Sequence, residues 1–180
     1  MKKITSIIFA LLLIIAIPAM SMAFCNGGGC NPTPSCGGDG YHGCTEAEIT
    51  QIGMLNQATI KQYGGAFSNN LATIDQNGFH NSANIKQAAF SMFNEAAIYQ
   101  NGSCNKADIE QYGWTNDAFI NQYGMGNNAN IDQYSSKNLA TINQSGIGNS
   151  GSITQGMMGS GYTATIYQAG WANSATVLQY

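Results

Sequence analysis

Inward and outward positions alternate along short stretches of this chain, and the stretches return at a near-constant distance. Between residues 105 and 113 the alternate set is Asn105, Ala107, Ile109, Gln111 and Gly113, with Lys106, Asp108, Glu110 and Tyr112 between them. A period of two marks a strand with two different faces. The same set recurs with a β-branched anchor at Ile49, Ile60, Ile74, Ile85, Ile98, Ile109, Ile120, Ile131, Ile142, Ile153, Ile166 and Val177. Gln follows every anchor two positions later, and those twelve are all but one of the chain's 13 glutamines. The step is 11 residues except in three places, where it is 13 or 14.

The spacers vary between copies while the alternate set hardly changes. Asn stands four positions before the next anchor in 10 of 11 intervals, and Ala two positions before it in 10 of 11. Gly follows the Gln by two positions in 8 of 11 intervals, with Ala89, Ser135 and Met157 as replacements, so it reads as preferred rather than compulsory. Gly permits a tight corner and Asn can bond its own backbone there. A helix is excluded, because 11 residues put Ile, Gln and Gly on diverging sides and Gly and Asn weaken every turn.

Polar Gln and Asn share the face of Ile, and a buried amide is tolerable only when hydrogen-bonded. Stacking identical amides one strand apart, at ~4.8 Å, satisfies them as a ladder. The expected fold is all-β: a β-solenoid with two strands per rung and about six rungs, ~25–30 Å long, cross-β when polymerised. Ile49, Ile74, Ile98, Ile120, Ile142 and Ile166 would form one column, and the other six anchors the second. The longer steps place bulges at 65–69, 89–93 and 157–161 that leave the strands intact. Tyr112 should stack on Tyr134, and Glu110 should neighbour Asp132, where like charges can slow self-association.

Residues 1–23 read as a secretory signal peptide, with Lys2 and Lys3, an apolar run from Ile7 to Ile17 and a small-x-small site ending at Ala23. Phe24 before Cys25 disfavours lipid attachment. The chain beyond Ala23 carries four lysines, no arginine and nine acidic residues, so nucleic acid is not expected as a main partner. Residues 24–45 form a Cys/Gly/Pro-rich head with Cys25, Cys30, Cys36 and Cys44, and residues 46–180 the repeat. Export makes disulfides plausible in the head, and four cysteines allow three pairings. Unpaired thiols or zinc are alternatives, although no C-x-x-C knuckle is present. Cys104 lies at a turn position. His42 and His80 are the only histidines and neither has a placed acid or nucleophile partner, so no enzyme, cofactor or catalytic site is expected.

Copies such as 109–118, Ile-Glu-Gln-Tyr-Gly-Trp-Thr-Asn-Asp-Ala, together with the terminal Gln179-Tyr180, resemble the curlin repeat of curli fimbriae, over about Ile49 to Tyr180. The resemblance implies an extracellular functional amyloid of adhesive, biofilm-matrix fibres. It also implies self-polymerisation on a nucleator subunit, periplasmic chaperones and an outer-membrane secretion pore. The Cys-bearing head departs from that family, whose subunits have a polar, cysteine-free segment there. The resemblance makes the repeated amides the assembly ladder: Gln51, Asn56, Gln62, Gln111, Asn116, Gln133, Gln168, Asn173 and Gln179. The final copy has no cap after it, which reads as an open edge. The regular, uncharged ending favours a major subunit over a nucleator. A non-polymerising adhesin or an ice-binding solenoid is the rival reading. The latter would want an unbroken threonine array, and Asp108, Phe119 and Asn130 interrupt the register of Thr59, Thr73, Thr141, Thr165 and Thr176.

Overall fold

The computed structural model describes residues 45–63, 68–88, 91–156 and 158–180. The expected signal peptide and the four head cysteines lie outside them. Twelve strands alternate in length. The nine-residue strands are β1 (Glu46–Met54), β3 (Leu71–Phe79), β5 (Glu95–Ser103), β7 (Asp117–Met125), β9 (Leu139–Ile147) and β11 (Thr163–Trp171). The six-residue strands are β2 (Gln57–Gln62), β4 (Ser82–Gln87), β6 (Lys106–Gln111), β8 (Asn128–Gln133), β10 (Ser150–Gln155) and β12 (Ser174–Gln179). Odd strands form one parallel sheet in the order β1-β3-β5-β7-β9-β11, and even strands form a second, β12-β10-β8-β6-β4-β2. Six strands in each sheet give the six rungs of a two-sided β-solenoid.

The register is the one the repeat dictates. Ile49, Ile74, Ile98, Ile120, Ile142 and Ile166 stack in one sheet, and Ile60, Ile85, Ile109, Ile131, Ile153 and Val177 in the other. Interior isoleucines are fully buried between the sheets, with Ala72, Ala96, Ala107, Ala118, Ala129 and Ala140 filling the narrow gap beside them. Each such isoleucine contributes about 1.5–3 kcal/mol of burial. A slip of one residue would turn every Ile outward, so the alternation fixes the register.

The two edges of the solenoid are built differently, which makes Gly compulsory on one of them. The corner from each odd strand to the next even one carries a column of glycines, Gly53, Gly78, Gly102, Gly124, Gly146 and Gly170, all at positive φ. A Cβ on any of the first five would overlap backbone of the next rung. The opposite corner, from even strand to odd, is where Ala89, Ser135 and Met157 replace Gly and where all three longer steps fall. The strand pairing is unbroken on either side of those longer corners.

Candidate functional site

The repeated amides form a continuous network through the core. In the odd sheet each Gln donates from Nε2 to Oε1 of the next: Gln51 to Gln76 at 2.6 Å, then Gln100, Gln122, Gln144 and Gln168 at 2.7–2.8 Å. The even sheet runs Gln62, Gln87, Gln111, Gln133, Gln155 and Gln179 at 2.8–3.0 Å. The second Nε2 hydrogen crosses the core to a backbone carbonyl of the facing sheet. Gln111 reaches Glu95 O at 2.9 Å, Gln133 reaches Asp117 O at 3.0 Å and Gln168 reaches Ser150 O at 2.9 Å. Every interior glutamine therefore ties its rung both along the sheet and across it, which is what makes a fully buried amide affordable.

The asparagines work at the corners, and mainly on backbone rather than on one another. The N–H of Asn116 donates to Asn94 Oδ1 at 2.8 Å, and that of Asn138 to Asn116 Oδ1 at 3.1 Å. In the other corner the same bonds link Asn56 to Asn81 and Asn149 to Asn173, at 3.0 and 3.1 Å. Most Nδ2 groups then reach forward to the carbonyl of the Gly position one rung on. Asn56 bonds Gly78 O at 3.1 Å and Asn116 bonds Ser135 O at 2.7 Å. Residues in left-handed conformation precede many of these asparagines: Leu55, His80, Cys104 and Ala172 on one edge, Phe93, Thr115 and Lys137 on the other. Sequence reading missed this column, because side chains as different as Leu, Lys and Cys occupy it. Cys104 is exposed there as a free thiol.

Burial divides the expected assembly residues. Gln111, Asn116, Gln133 and Gln168 are buried, whereas Gln51 and Asn173 are exposed and Asn56, Gln62 and Gln179 are intermediate. The end rungs are open in the same way: Ile49 is 36% exposed while Ile74 directly behind it is fully buried. Among the described residues, the first glutamines at the Ile49 end have no earlier amide donating to their Oε1. At the Val177 end the last ones have no later Oε1 to receive their Nε2–H.

The outer face of the even sheet holds the main charge cluster. Lys86 Nζ donates to Glu110 and, at 2.9 Å, to Tyr112 OH, and lies over the Tyr112 ring. Tyr112 stacks on Tyr134 with centroids 5.3 Å apart, and Glu110 neighbours Asp132. Burial alone would raise the Glu110 carboxyl, yet hydrogen bonds from Lys86 and Tyr112 hold it below its usual value. Asp132 is raised, first by burial and then by the charges of Glu110 and Asp108, against a hydrogen bond from Asn130. The threonines fall into two sheets: Thr73, Thr141 and Thr165 share one register with Ala97 and Phe119 between them, and Thr59 and Thr176 the other. No flat threonine array results. Among the described residues no cluster of His, Cys, Asp and Glu is arranged to hold a metal.

Two overlapping segments, 94–124 and 105–134, match the family model for the curlin associated repeat. Comparison with curated proteins finds no match.

Proposed function

Because this chain is a curlin-repeat protein, and so a curlin-like structural subunit, we propose that it polymerises into secreted, amyloid-type fibres by stacking one subunit's last rung on the next subunit's first. The observation that carries this reading is the complementarity of the two ends. The Val177 end offers Nε2–H donors from Gln168 and Gln179, and the Ile49 end offers Oε1 acceptors from Gln51 and Gln62. The strands that would meet have equal lengths, nine residues in β11 and β1, six in β12 and β2. In the register of the interior rungs Gln168 would donate to Gln51 and Gln179 to Gln62 of the next subunit, while Asn56 N–H would donate to Asn173 Oδ1. Backbone pairing and burial of Ile49 would supply the rest.

Such fibres fit adhesion and a biofilm matrix on the cell surface. The expected signal peptide over residues 1–23 supports export, and the family resemblance supports a nucleator subunit, a secretion pore and chaperones as partners. The regular final copy favours the major subunit.

The test is to release the chain lacking residues 1–23 from denaturant and follow thioflavin fluorescence, then fibre diffraction. A ~4.8 Å meridional reflection is expected. A chain that stays a soluble β-rich monomer would reject the reading. Seeded growth of Gln51→Leu and Gln168→Leu subunits tests the junction: elongation at the wild-type rate would remove those residues from it.

A further inference from the structure

The edge where the chain leaves each even strand carries an outward column that the amide ladder does not use. The residues after the last glutamine of β2, β4, β6, β8, β10 and β12 are Tyr63, Ala88, Tyr112, Tyr134, Gly156 and Tyr180. From Tyr63 to Gly156 each backbone N–H donates to the Gln carbonyl of the next rung, which holds the column at the strand spacing. Tyr63 reaches Gln87 O at 2.9 Å, Tyr112 reaches Gln133 O at 2.8 Å and Gly156 reaches Gln179 O at 2.7 Å. On the third and fourth rungs Tyr112 and Tyr134 form a stacked pair, with 5.3 Å between centroids and 25° between planes. On the second and fifth rungs the column holds only Ala88 and Gly156. Among the described residues the end tyrosines, Tyr63 and Tyr180, therefore have no ring partner, and they are 51% and 74% exposed. The Tyr180 ring lies against Gly156, where a Cβ would come 3.1 Å from Tyr180 Cδ1.

We infer that Tyr180 of one subunit stacks on Tyr63 of the next and fixes the phase of their junction. This rests on the end-to-end polymerisation proposed above. In that register the sixth rung of one subunit precedes the first of its neighbour. Tyr180 N–H would donate to Gln62 O, and the two rings would meet as Tyr112 and Tyr134 do. Tyrosine pairs would then recur every third rung, ~14 Å apart, within and between subunits alike. The pair supplies a discrimination that the core lacks. Both sheets carry the same inner set, with Ala47, Ile49 and Gln51 on β1 and Ala58, Ile60 and Gln62 on β2. A neighbour rotated by half a turn about the axis would set β12 on β1 and β11 on β2. It would still match a β-branched residue to a β-branched residue and Gln to Gln. That arrangement sets Tyr180 on Ile52 and Ala169 on Tyr63, whereas the in-phase junction sets ring on ring. Stacked aromatic pairs are worth more than the area they bury, so the in-phase junction is preferred.

The test uses the chain without residues 1–23, first as monomer and then as seeded fibres. Under light, a ruthenium tris-bipyridine complex with persulfate takes one electron from each of two touching tyrosines. Each phenol releases a proton, and the two radicals couple through ring carbons to dityrosine, which peptide mass mapping locates. Tyr63 and Tyr180 of one subunit are five rungs apart, about 24 Å, so a link between them joins two subunits. The Tyr112–Tyr134 link is expected in monomer and fibre, and the Tyr63–Tyr180 link in the fibre alone. Tyr180→Leu, with its monomer circular dichroism unchanged, is expected to slow seeded elongation by about two- to tenfold, and Tyr180→Phe to elongate at close to the wild-type rate. The inference is overturned by fibres that carry the first link without the second, or by a Tyr180–Tyr180 link in its place. Tyr180→Leu elongating as fast as Tyr180→Phe would overturn it as well, leaving apolar burial without a stack. A chain that forms no fibre at all overturns the polymerisation reading, and this inference with it.

Discussion

Gly78 and Gly102 lie on adjacent rungs so close together that a methyl group on Gly78 would overlap the Gly102 carbonyl oxygen and lie 2.9 Å from its carbonyl carbon. Backbone cannot yield as a side-chain tip can, and φ at Gly78 is +129°, where L-residues are strained. Gly78→Ala is therefore expected to destabilise the subunit by about 3 kcal/mol or more. Gly126 has open space around its position at φ +66°, and Ala172 holds the equivalent place at φ +53°. Gly126→Ala should cost only about 1–2 kcal/mol. Urea midpoints of the two variants check the contrast, and similar midpoints would refute it.

Gln111 donates to Gln133, Glu95 O and Asn116 O and accepts from Gln87. Gln111→Leu takes the donor from Gln133 Oε1 and one bond each from Glu95 O, Asn116 O and Gln87 Nε2, of which Asn116 O keeps Glu95 N–H and Gln87 Nε2 keeps Leu71 O and Asn94 O, for an expected loss of about 2–3 kcal/mol. Gln179 is at the open end and donates to Thr163 O while accepting from Gln155. Its replacement by Leu should cost the isolated subunit about 1–2 kcal/mol. Denaturation of non-assembling monomer at low concentration gives both numbers.

The two corners should differ in their tolerance of added chain. Two serines inserted between Ser136 and Lys137 extend a corner of the kind that already varies in length, at an expected cost below about 1 kcal/mol. The same insertion between Met125 and Gly126 falls in the corner that follows the glycine column, where the corner length is constant. It should cost about 3 kcal/mol or more. Comparison of melting temperatures and β-sheet circular dichroism decides it, and equal losses would mean the edges are equivalent.

Acid should first strengthen and then weaken the fold. Asp132 and Asp117 have carboxyls raised by burial, so the folded chain holds their protons more tightly than the unfolded one. Stability from this source grows as pH falls through the raised values and is complete below the usual aspartate value of 3.8. Glu110 has the opposite sign: its stabilisation is present above the usual glutamate value of 4.5 and disappears as pH falls through its lowered one. The urea midpoint should therefore rise between pH 7 and about pH 4–5 and drop below that range. Asp132→Asn should flatten the rise, and an unchanged profile in that variant would exclude Asp132 as its source.

The strand pairing was legible because it depends on composition at alternate positions. Ile, Gln and Ala repeat at one spacing, and Tyr112 over Tyr134 or Glu110 beside Asp132 follow from the same count. The difference between the edges was harder to see, since Gly113 and Gly124 look alike as letters. A Cβ on Gly113 would itself overlap the Ser135 carbonyl oxygen of the next rung, so what separates the edges is that Ala89, Ser135 and Met157 stand at the matching place on one and only Gly on the other. A signal was available: Ala89, Ser135 and Met157, and all three long steps, come after anchors of even strands. The groove beside Tyr99 and Tyr123 on the outer face of the odd sheet was not legible, because the two tyrosines stand at different register positions of neighbouring strands. Asn121 gives no sign in sequence that its carbonyl lacks a donor.

Alternation divides the residues of this chain into two nearly independent scripts. The inner one, Ile, Gln, Asn and Ala, repeats in every rung and carries the amide ladder; the outer one, from Lys86 to Tyr134 and from Asp75 to Tyr123, differs from rung to rung and adds only local contacts such as Lys86 with Glu110. If the subunits polymerise as proposed, those with altered outer residues would remain miscible with the parent in a single filament. Surface chemistry could diversify along such a filament without renegotiating the contacts that hold it together.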